Sequence, residues 1–295
     1  MILNVSGRCD IVAFYTKWFM NRYNEGFVDV RNPFNRKFVS RIYFSDVDLI
    51  LFCTKNPLPI IPYLKNIKKP IIFHITITPY KKEIEPGVIS KIKIINGVKE
   101  ISKIIGIENV YVRYDPIFLS DKYDINYHIK AFNKLCFLLD GFVKHIIVSF
   151  IDIKKNVINN KNILKYKEFT ENDYEAIGIN FSRIANKYKM TVGTCFEKYN
   201  LIEYGFIKHE CISHELAFKL TGKTYKNWNA RREKLCNCCE MVDIGVYNCC
   251  NHLCKYCYAN YLEKEVFDNI KKHDDNSSLL IGKLEFDDII KIRKK

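Results

Sequence analysis

Cysteines are the residues of this 295-residue chain best suited to carry chemistry, and most of them lie near its C-terminal end. Seven of the twelve fall within the 22 residues 236–257. Residues 1–9 do not resemble a secretory leader, and no apolar run reaches the roughly 18 residues that span a membrane, which predicts a cytoplasmic protein with no membrane partner. Thiols stay reduced in that compartment, so clustered cysteines there are typical of metal ligands or catalytic groups rather than of disulfides.

The most compact spacing in this cluster is a CxxxCxxC motif formed by Cys250, Cys254 and Cys257. Three thiolates on one short loop can hold three irons of a 4Fe–4S cluster and leave the fourth iron open to another ligand. A tetrahedral zinc site is the alternative, because His252 or Cys249 could supply its fourth ligand. The cysteine count suits both metals, and the spacing favours the cluster.

The register of the motif is also open, because Cys249 could replace Cys250 with a less common gap of four residues. Two observations favour Cys250. The aromatic Tyr256 precedes the last cysteine, and the motif lies between a predicted strand at 242–247 and a predicted helix at 258–267. We therefore expect a cluster-binding segment at about 236–260 with Cys250 as its first ligand.

A second set of cysteines could bind an auxiliary iron–sulfur cluster or a zinc ion. Its four members are Cys195, Cys211, Cys236 and Cys238. Two other cysteines suggest a different role, because Cys53 ends an apolar strand and Cys136 lies on the apolar face of a helical pattern. Both are most simply small buried hydrophobic residues.

Seven short apolar runs predict the strands that must position the cysteines. They lie at residues 2–5, 47–53, 71–77, 110–114, 145–151, 190–195 and 242–247. Amphipathic helical patterns lie between them, at 10–24, 126–140 and 171–189. Asp10 is placed to cap the first helix, and a Lys- and Asn-rich exposed loop is expected at 154–170. The alternation predicts an α/β fold, a parallel (β/α) barrel or partial barrel in one domain covering residues 1–295.

Polar residues follow several of these apolar runs. Examples are Ser6, Gly7 and Arg8, then Thr54 and Lys55, and later Cys195 and Glu197. In a parallel barrel the carboxyl ends of the strands form the active face, although strands give way to polar loops in any fold. Arg113 is harder to explain as a simple loop boundary, because a buried charge needs a partner and Asp115, two residues later, points to the same side of the strand.

The charge of the chain gives a weaker signal. Its 47 basic and 33 acidic residues leave a formal net charge of +14, which is compatible with a polyanionic partner such as nucleic acid. The basic residues are 37 Lys and only 10 Arg, and they are spread along the chain. Because Arg is the better bidentate reader of phosphate, nucleic-acid binding is a minor hypothesis.

Several of these residues also carry a resemblance to a known family. The chain resembles a bacterial family of uncharacterised proteins whose C-terminal cysteines are similar to those near the N-terminus of radical S-adenosylmethionine enzymes. The matching stretches are residues 6–11, 19–22, 30–35, 54–57, 113–117 and 243–260. The family usually has Thr where Cys9 stands and Trp where Cys53 stands, and both differences could reshape a substrate pocket. Cysteines corresponding to the proposed second site occur in the family as well.

The resemblance implies a radical S-adenosylmethionine enzyme. The open iron of the cluster would bind the amino and carboxylate groups of S-adenosylmethionine, and its reductive cleavage would yield a 5′-deoxyadenosyl radical. An electron donor such as flavodoxin or ferredoxin is then expected, and the substrate is not identified by the sequence, with nucleic acid one candidate. A non-catalytic binding module stabilised by zinc or iron–sulfur is the alternative function.

The order of the motifs implies a circular permutation, because radical enzymes of this kind have CxxxCxxC after the first strand. The strand at 242–247 would then act as the first strand, beside residues 2–5. Ser6 and Gly7 would lie where the methionine amino group is held, and Tyr256 near the adenine. Four charged residues would line the cavity and orient cofactor or substrate: Arg8, Asp10, Arg113 and Asp115.

Overall fold

The computed structural model describes residues 1–195, 197, 199–228 and 237–294. Its strands are β1 Ile2–Val5, β2 Phe27–Arg31, β3 Phe38–Tyr43, β4 Leu49–Thr54, β5 Ile71–Thr76, β6 Val110–Ile117, β7 His145–Phe150, β8 Thr191–Thr194, β9 Ile207–Lys208, β10 Met241–Asp243 and β11 Ile289–Ile292. Its α-helices are α1 Ile11–Phe14, α2 Thr16–Glu25, α3 Lys91–Ile105, α4 Ile125–Leu139, α5 Lys155–Asn159, α6 Lys161–Leu164, α7 Glu171–Lys187, α8 His214–Thr221 and α9 Glu263–Ile270.

Eight strands form one large sheet in the order β10-β1-β4-β5-β6-β7-β8-β9. Every neighbouring pair is parallel. The predicted parallel α/β architecture is therefore confirmed, and each of the seven predicted strands is present, the first with the predicted ends and the other six with shifted ends. Within the described ranges the sheet is open rather than a closed barrel, since β10 and β9 form its two edges and do not pair with each other.

The most distant pairing in sequence lies at one edge of this sheet. β10 pairs in parallel with β1, and Asn4 lies opposite Asp243. This is the neighbour relationship that the permuted order predicts. The strand ends at Asp243, earlier than the predicted residue 247, because the Asp243 side chain accepts hydrogen bonds from Gly7 and Gly245 backbone amides at 2.6 and 2.7 Å, where a strand would form ladder bonds.

Successive residues of the strands face opposite sides of the sheet, as the pleat requires. Ile50 and Phe52 of β4 face the side covered by α1, α3 and α4, where Phe52 stacks on Phe73 with ring centroids 5.0 Å apart. Leu49 and Leu51 face the other side, together with Tyr111 and the cysteines near β8 and β10. Burial on both sides explains why these strands are continuous in apolar residues.

The first helical region differs from its prediction as a single helix over 10–24. It is divided into α1 and α2 by Tyr15, whose backbone is not helical (φ −134°, ψ 25°). Asp10 caps α1 as predicted, accepting a hydrogen bond from the Ala13 amide at 2.9 Å. Gly26, at φ +85°, ends α2 in the left-handed conformation that glycine adopts easily. The helices predicted at 126–140 and 171–189 are confirmed as α4 and α7.

A second, three-stranded sheet was not predicted. Its order is β11-β3-β2, with β2 and β3 antiparallel and β11 parallel to β3. Arg41 makes two hydrogen bonds to the buried carboxylate of Asp29, at 2.8 and 2.7 Å. The C-terminal tail reaches this sheet across α2, where the indole of Trp18 donates to the Ser277 carbonyl at 2.8 Å.

The helix predicted at 258–267 begins only at Glu263. Two backbone amides in the segment before Glu263 donate hydrogen bonds to side chains instead of to helical carbonyls. The Ala259 amide donates to the Cys257 sulfur at 3.3 Å, and the Tyr261 amide donates to the Asn248 side chain at 2.5 Å. The prediction was wrong at this end because side chains of the cysteine loop take up the local donors.

Candidate functional site

A cavity of about 570 Å³ opens at the carboxyl ends of the parallel strands. Its walls include residues at or near the carboxyl ends of five strands, β1, β4, β6, β7 and β8. Among them are Ser6, Gly7, Arg8, Asp10, Cys53, Lys55, Arg113, Asp115, Ser149, Cys195 and Glu197. The predicted convergence of polar strand ends on one face is therefore present in the fold.

The three cysteines of the CxxxCxxC motif reach this cavity from the loop after β10. Cys250, Cys254 and Cys257 all line it. Cys249 is fully buried in the apolar core instead, and its thiol donates to the Val246 carbonyl at 3.0 Å. The structure thus brings Cys250 rather than Cys249 to the cavity, in the register that the sequence favoured.

Close backbone contact holds the middle of the cysteine loop in place. The Gly87 amide donates to the His252 carbonyl at 2.9 Å, and the Lys255 amide donates to the Ile84 carbonyl at 2.9 Å. A Cβ atom on Gly87 would lie 2.1 Å from the Asn251 carbonyl oxygen, which leaves room only for glycine. Gly87 was not predicted as a site residue, because nothing in the local sequence marks its contact with a loop 165 residues away.

The short helix α5 fixes the other side of the loop. The Asn156 side chain donates to the carbonyls of Cys257 and Asn260, at 3.2 and 2.8 Å. Asn160 donates to the Lys255 carbonyl at 2.8 Å. The prediction of an exposed loop at 154–170 was wrong here, since the amide of Asn156 satisfies loop carbonyls that would otherwise be buried without partners.

Asp10 is buried and fully engaged with protein groups. Besides capping α1, its carboxylate accepts a hydrogen bond from the Lys55 amide at 2.7 Å and lies 2.8 Å from Nε2 of His252. Burial lowers the pKa of His252, but the hydrogen bond to Asp10 and its negative charge outweigh burial, and the net pKa is raised. Asp10 therefore contacts the middle of the cysteine loop and also lines the cavity, and its role in orienting cofactor or substrate stays a prediction.

The engagement of His252 bears on the zinc alternative. Its Nε2 faces Asp10, and its Nδ1 lies 3.4 Å from the Gly87 carbonyl oxygen. Both ring nitrogens thus face oxygen atoms of the protein. The donor set that this loop presents to the cavity consists of three thiols, which could bind three irons of a 4Fe–4S cluster.

A buried carboxylate, Glu85, lies behind the same loop. It accepts hydrogen bonds from Thr78 at 2.6 Å and from the Tyr256 hydroxyl, and it forms ion pairs with Lys91 and, at 3.0 Å, with Lys55. Burial alone would raise the pKa of Glu85, but the two lysines lower it to about 2. The hydroxyl of Tyr256, predicted to lie near an adenine, is thus committed to Glu85, while its ring still lines the cavity.

Asp243 joins the ends of β10 and β1. Its carboxylate accepts from the Ser6 hydroxyl at 2.8 Å, the Gly7 amide at 2.6 Å and the Asn4 side chain at 3.1 Å. Ser6 and Gly7 are held in the cavity wall by these bonds, beside the cysteine loop. Asp243 lay in one of the matching stretches, but its role could not be read from the sequence because its partners lie more than 230 residues away.

Charged groups also line the cavity. Arg113 makes two hydrogen bonds to one oxygen of Asp115, at 2.9 and 2.7 Å, which is the pairing that the sequence predicted. The guanidinium of Arg8 lies 5.5 Å from the ring centre of Tyr247. Glu197, whose carboxylate accepts from the Phe150 amide at 3.0 Å, has its pKa raised to about 7 by burial.

Three of the four predicted second-site cysteines meet near this cavity. The Cys195 sulfur lies 3.6 Å from that of Cys211 and 3.8 Å from that of Cys238. Among the described residues, this is the group whose metal-ligand atoms all lie within 4.8 Å of one another. Cys195 and Cys211 line the cavity. Cys236, the fourth predicted ligand, lies outside the described residues.

Two other cysteines have environments that can now be compared with their predictions. Cys136 is fully buried on α4, as a small hydrophobic residue would be. Cys53 differs, since it is only partly buried and lines the cavity, where its thiol lies 3.5 Å from the Asn4 side-chain oxygen. Cys53 faces the cavity because successive side chains along β4 point to opposite faces of the sheet.

Comparison with known proteins gives one match. The family model described as Domain of unknown function (DUF1848) matches residues 2–259, which includes every strand of the large sheet and all three motif cysteines. No match was found among curated proteins or solved structures. In the ranges that the structure describes, no helix is long and apolar enough to cross a membrane.

Proposed function

The chain belongs to the family described as Domain of unknown function (DUF1848), and from its site we propose that it is a radical S-adenosylmethionine enzyme. Cys250, Cys254 and Cys257 would hold a 4Fe–4S cluster whose remaining iron is open to S-adenosylmethionine. When these groups are bound, transfer of one electron to the sulfonium supplies a 5′-deoxyadenosyl radical that abstracts hydrogen from a substrate. A flavodoxin or ferredoxin is the expected class of electron donor.

The position of the cysteine loop supports this proposal most strongly. The loop follows β10, the edge strand beside β1, and it opens at the end of the sheet where the other strands present their polar residues. In radical enzymes the motif follows the first strand of a barrel, and under this proposal β10 would correspond to that strand although it comes late in the chain. A circularly permuted, partly closed barrel of that type accounts for both observations.

The residues around the loop would orient its thiols for cluster binding. Gly87, Asn156 and the Asp10–His252 pair bind its backbone and its central side chain, so the loop has little freedom to rearrange. Preorganised ligands lose less conformational entropy when the metal binds. Asp10 thereby acts as a positioning residue.

Charged side chains in the cavity could bind the cofactor and the substrate. Arg8, Arg113 and Asp115 line the cavity, and Glu197 adds a carboxyl group with a pKa of about 7. Ser6 and Gly7 form the wall next to the loop, where the Tyr258 hydroxyl donates to the Gly7 carbonyl. These groups would bind the polar parts of S-adenosylmethionine and of the substrate.

The test is anaerobic reconstitution of the full chain with iron and sulfide, followed by reduction with dithionite in the presence of S-adenosylmethionine. We expect iron and sulfide in the ratio of a 4Fe–4S cluster and formation of 5′-deoxyadenosine. Cys254→Ala should abolish both, and Cys136→Ala, at the buried cysteine of α4, should abolish neither. Well-reconstituted protein that forms no 5′-deoxyadenosine would overturn the proposal.

The net charge of +14 is also compatible with a second class of function, a metal-stabilised module that binds nucleic acid. That function predicts zinc in place of iron and sulfide on the CxxxCxxC loop. It also predicts binding to DNA or RNA that weakens steeply as salt rises, because phosphate contacts release counterions. Metal analysis of anaerobically purified protein separates the two functions.

A further inference from the structure

We infer that Cys195, Cys211 and Cys238 bind a single metal ion of the zinc type, separate from the cluster on the CxxxCxxC loop. The cysteine pattern alone left an auxiliary cluster and a zinc ion equally open for this site. The geometry of the three thiols decides between them. It also places the ion between the two edges of the large sheet, which the pattern did not suggest.

The distances between the sulfur atoms match one tetrahedral ion. With a Zn–S bond of about 2.3 Å, tetrahedral geometry places two ligand sulfurs about 3.8 Å apart. The observed separations from Cys195 are 3.6 Å to Cys211 and 3.8 Å to Cys238. In a 4Fe–4S cluster each thiolate binds a different iron, which holds the sulfurs further apart. A disulfide would require about 2.05 Å.

The surroundings of the group also suit a bound ion. The backbone amide of Cys211 donates to the Cys238 sulfur at 3.1 Å, a contact that stabilises a thiolate. His74, on the cavity wall, is 1% exposed, and its Nε2 has no hydrogen-bond partner within the described part of the chain. A buried imidazole nitrogen without a partner is costly, and it points to a ligand beyond the described protein groups.

The three cysteines come from segments next to opposite edges of the large sheet. Cys195 follows β8 and Cys211 follows β9, whereas Cys238 lies just before β10. The Cys239 amide donates to the Ile212 carbonyl at 3.0 Å, so the segments already touch. An ion held by all three would join the edges that strand pairing leaves apart, and its cavity side, formed by Cys195 and Cys211, would face bound substrate.

The test counts zinc and iron separately in full-length protein purified without oxygen. We expect about one zinc per chain beside the cluster iron. Cys195→Ser and Cys211→Ser should lose the zinc and keep the iron, and Cys254→Ala should do the reverse. Cys239→Ser is the matched control, because its buried thiol is the sequence neighbour of Cys238 and lies outside the group, and it should keep both metals.

Wild-type protein provides a second measurement that does not depend on variants folding. After zinc is removed, titration with Co²⁺ should produce a sulfur-to-cobalt charge-transfer band that saturates at about one cobalt per chain. Absence of that band would overturn the inference. Loss of iron and sulfide instead of zinc in Cys195→Ser would also overturn it, in favour of a second cluster. Because iron at the other loop is counted independently, failure of the proposed function would be seen as a different result.

Discussion

Asp10 and His252 are 242 residues apart in sequence, and Oδ2 of Asp10 lies 2.8 Å from Nε2 of His252 in the protein interior. Asp10 sits at the start of the first helix and His252 in the middle of the cysteine loop, so this contact ties one end of the chain to the other.

The first prediction is that Asp10→Asn weakens the cysteine loop. The substitution keeps a hydrogen-bond acceptor for the Ala13 amide but removes the charge that faces His252 and the Lys55 amide. We expect a loss of about 1–3 kcal/mol in the free energy of unfolding and less iron retained after reconstitution. Chemical denaturation and iron analysis measure the two effects.

Asp152→Asn is the control for that prediction, since the Asp152 side chain is 80% exposed at the rim of the cavity. It should change the unfolding free energy by less than about 0.5 kcal/mol. Equal behaviour of the two variants would mean that the Asp10 carboxylate does not support the loop.

The second prediction concerns the register of the motif. Cys250→Ala should prevent cluster assembly, because it removes a thiol that lines the cavity. Cys249→Ala should still assemble a cluster, because the Cys249 thiol lies inside the core and donates a hydrogen bond to the Val246 carbonyl. Iron and sulfide content and the visible absorbance of both variants give the answer. A cluster that survives loss of Cys250 but not of Cys249 would refute this register.

The third prediction is that Asn156→Ala lowers both stability and iron retention. The variant leaves the carbonyls of Cys257 and Asn260 without their donor, which should cost about 1–3 kcal/mol. Asn159→Ala, at an exposed position on the same helix, is the matched control and should be nearly neutral. If both variants unfold at the same denaturant concentration as the wild type, α5 does not hold the loop.

The fourth prediction concerns stability against pH. The folded pKa of Glu85, about 2, lies below its ordinary value of 4.5, so the folded state favours the ionised carboxylate. This contribution is present above about pH 4.5 and is lost as the pH falls toward 2. Glu85→Gln should therefore flatten the acid limb of the stability profile. It should also cost about 3–5 kcal/mol near neutral pH, because Lys55 and Lys91 lose their buried partner.

Glu83→Gln is the comparison for that pH profile. Glu83 lies two residues away and pairs with Lys122, but both side chains are about half exposed, so solvent screens the pair. Urea denaturation between pH 3 and 8 should show an effect below about 1 kcal/mol. If Glu83→Gln flattens the acid limb as much as Glu85→Gln does, the buried network around Glu85 is not the cause of the loss of stability at acid pH.

Much of the large sheet could be predicted from sequence because its strands are buried on both faces. The continuous apolar runs at β4, β5 and β7 identify them without tertiary information. The small sheet escaped prediction for the opposite reason. β2 and β3 carry Asp29 and Arg41, which pair with each other across the two strands, and their third strand lies some 250 residues later in the chain.

The site divides in the same way. Cys250, Cys254 and Cys257 are recognisable by their spacing, and the Arg113–Asp115 pair by two charges placed two apart in a strand. Gly87, Glu85 and Asn156 each contact a loop far along the chain, and no local pattern marks those contacts. The commitment of Asp10 to His252 was hidden for the same reason, since residue type alone does not show which buried partner a carboxylate has.

The pairing of β10 with β1 also sets the order in which the site can form during synthesis. β1 leaves the ribosome about 240 residues before β10. Until then one edge of β1 has no strand to pair with, and its exposed backbone needs protection from other chains. The cysteine loop follows β10, so any metal that it binds can be delivered only after the strands of the other cavity walls have been made.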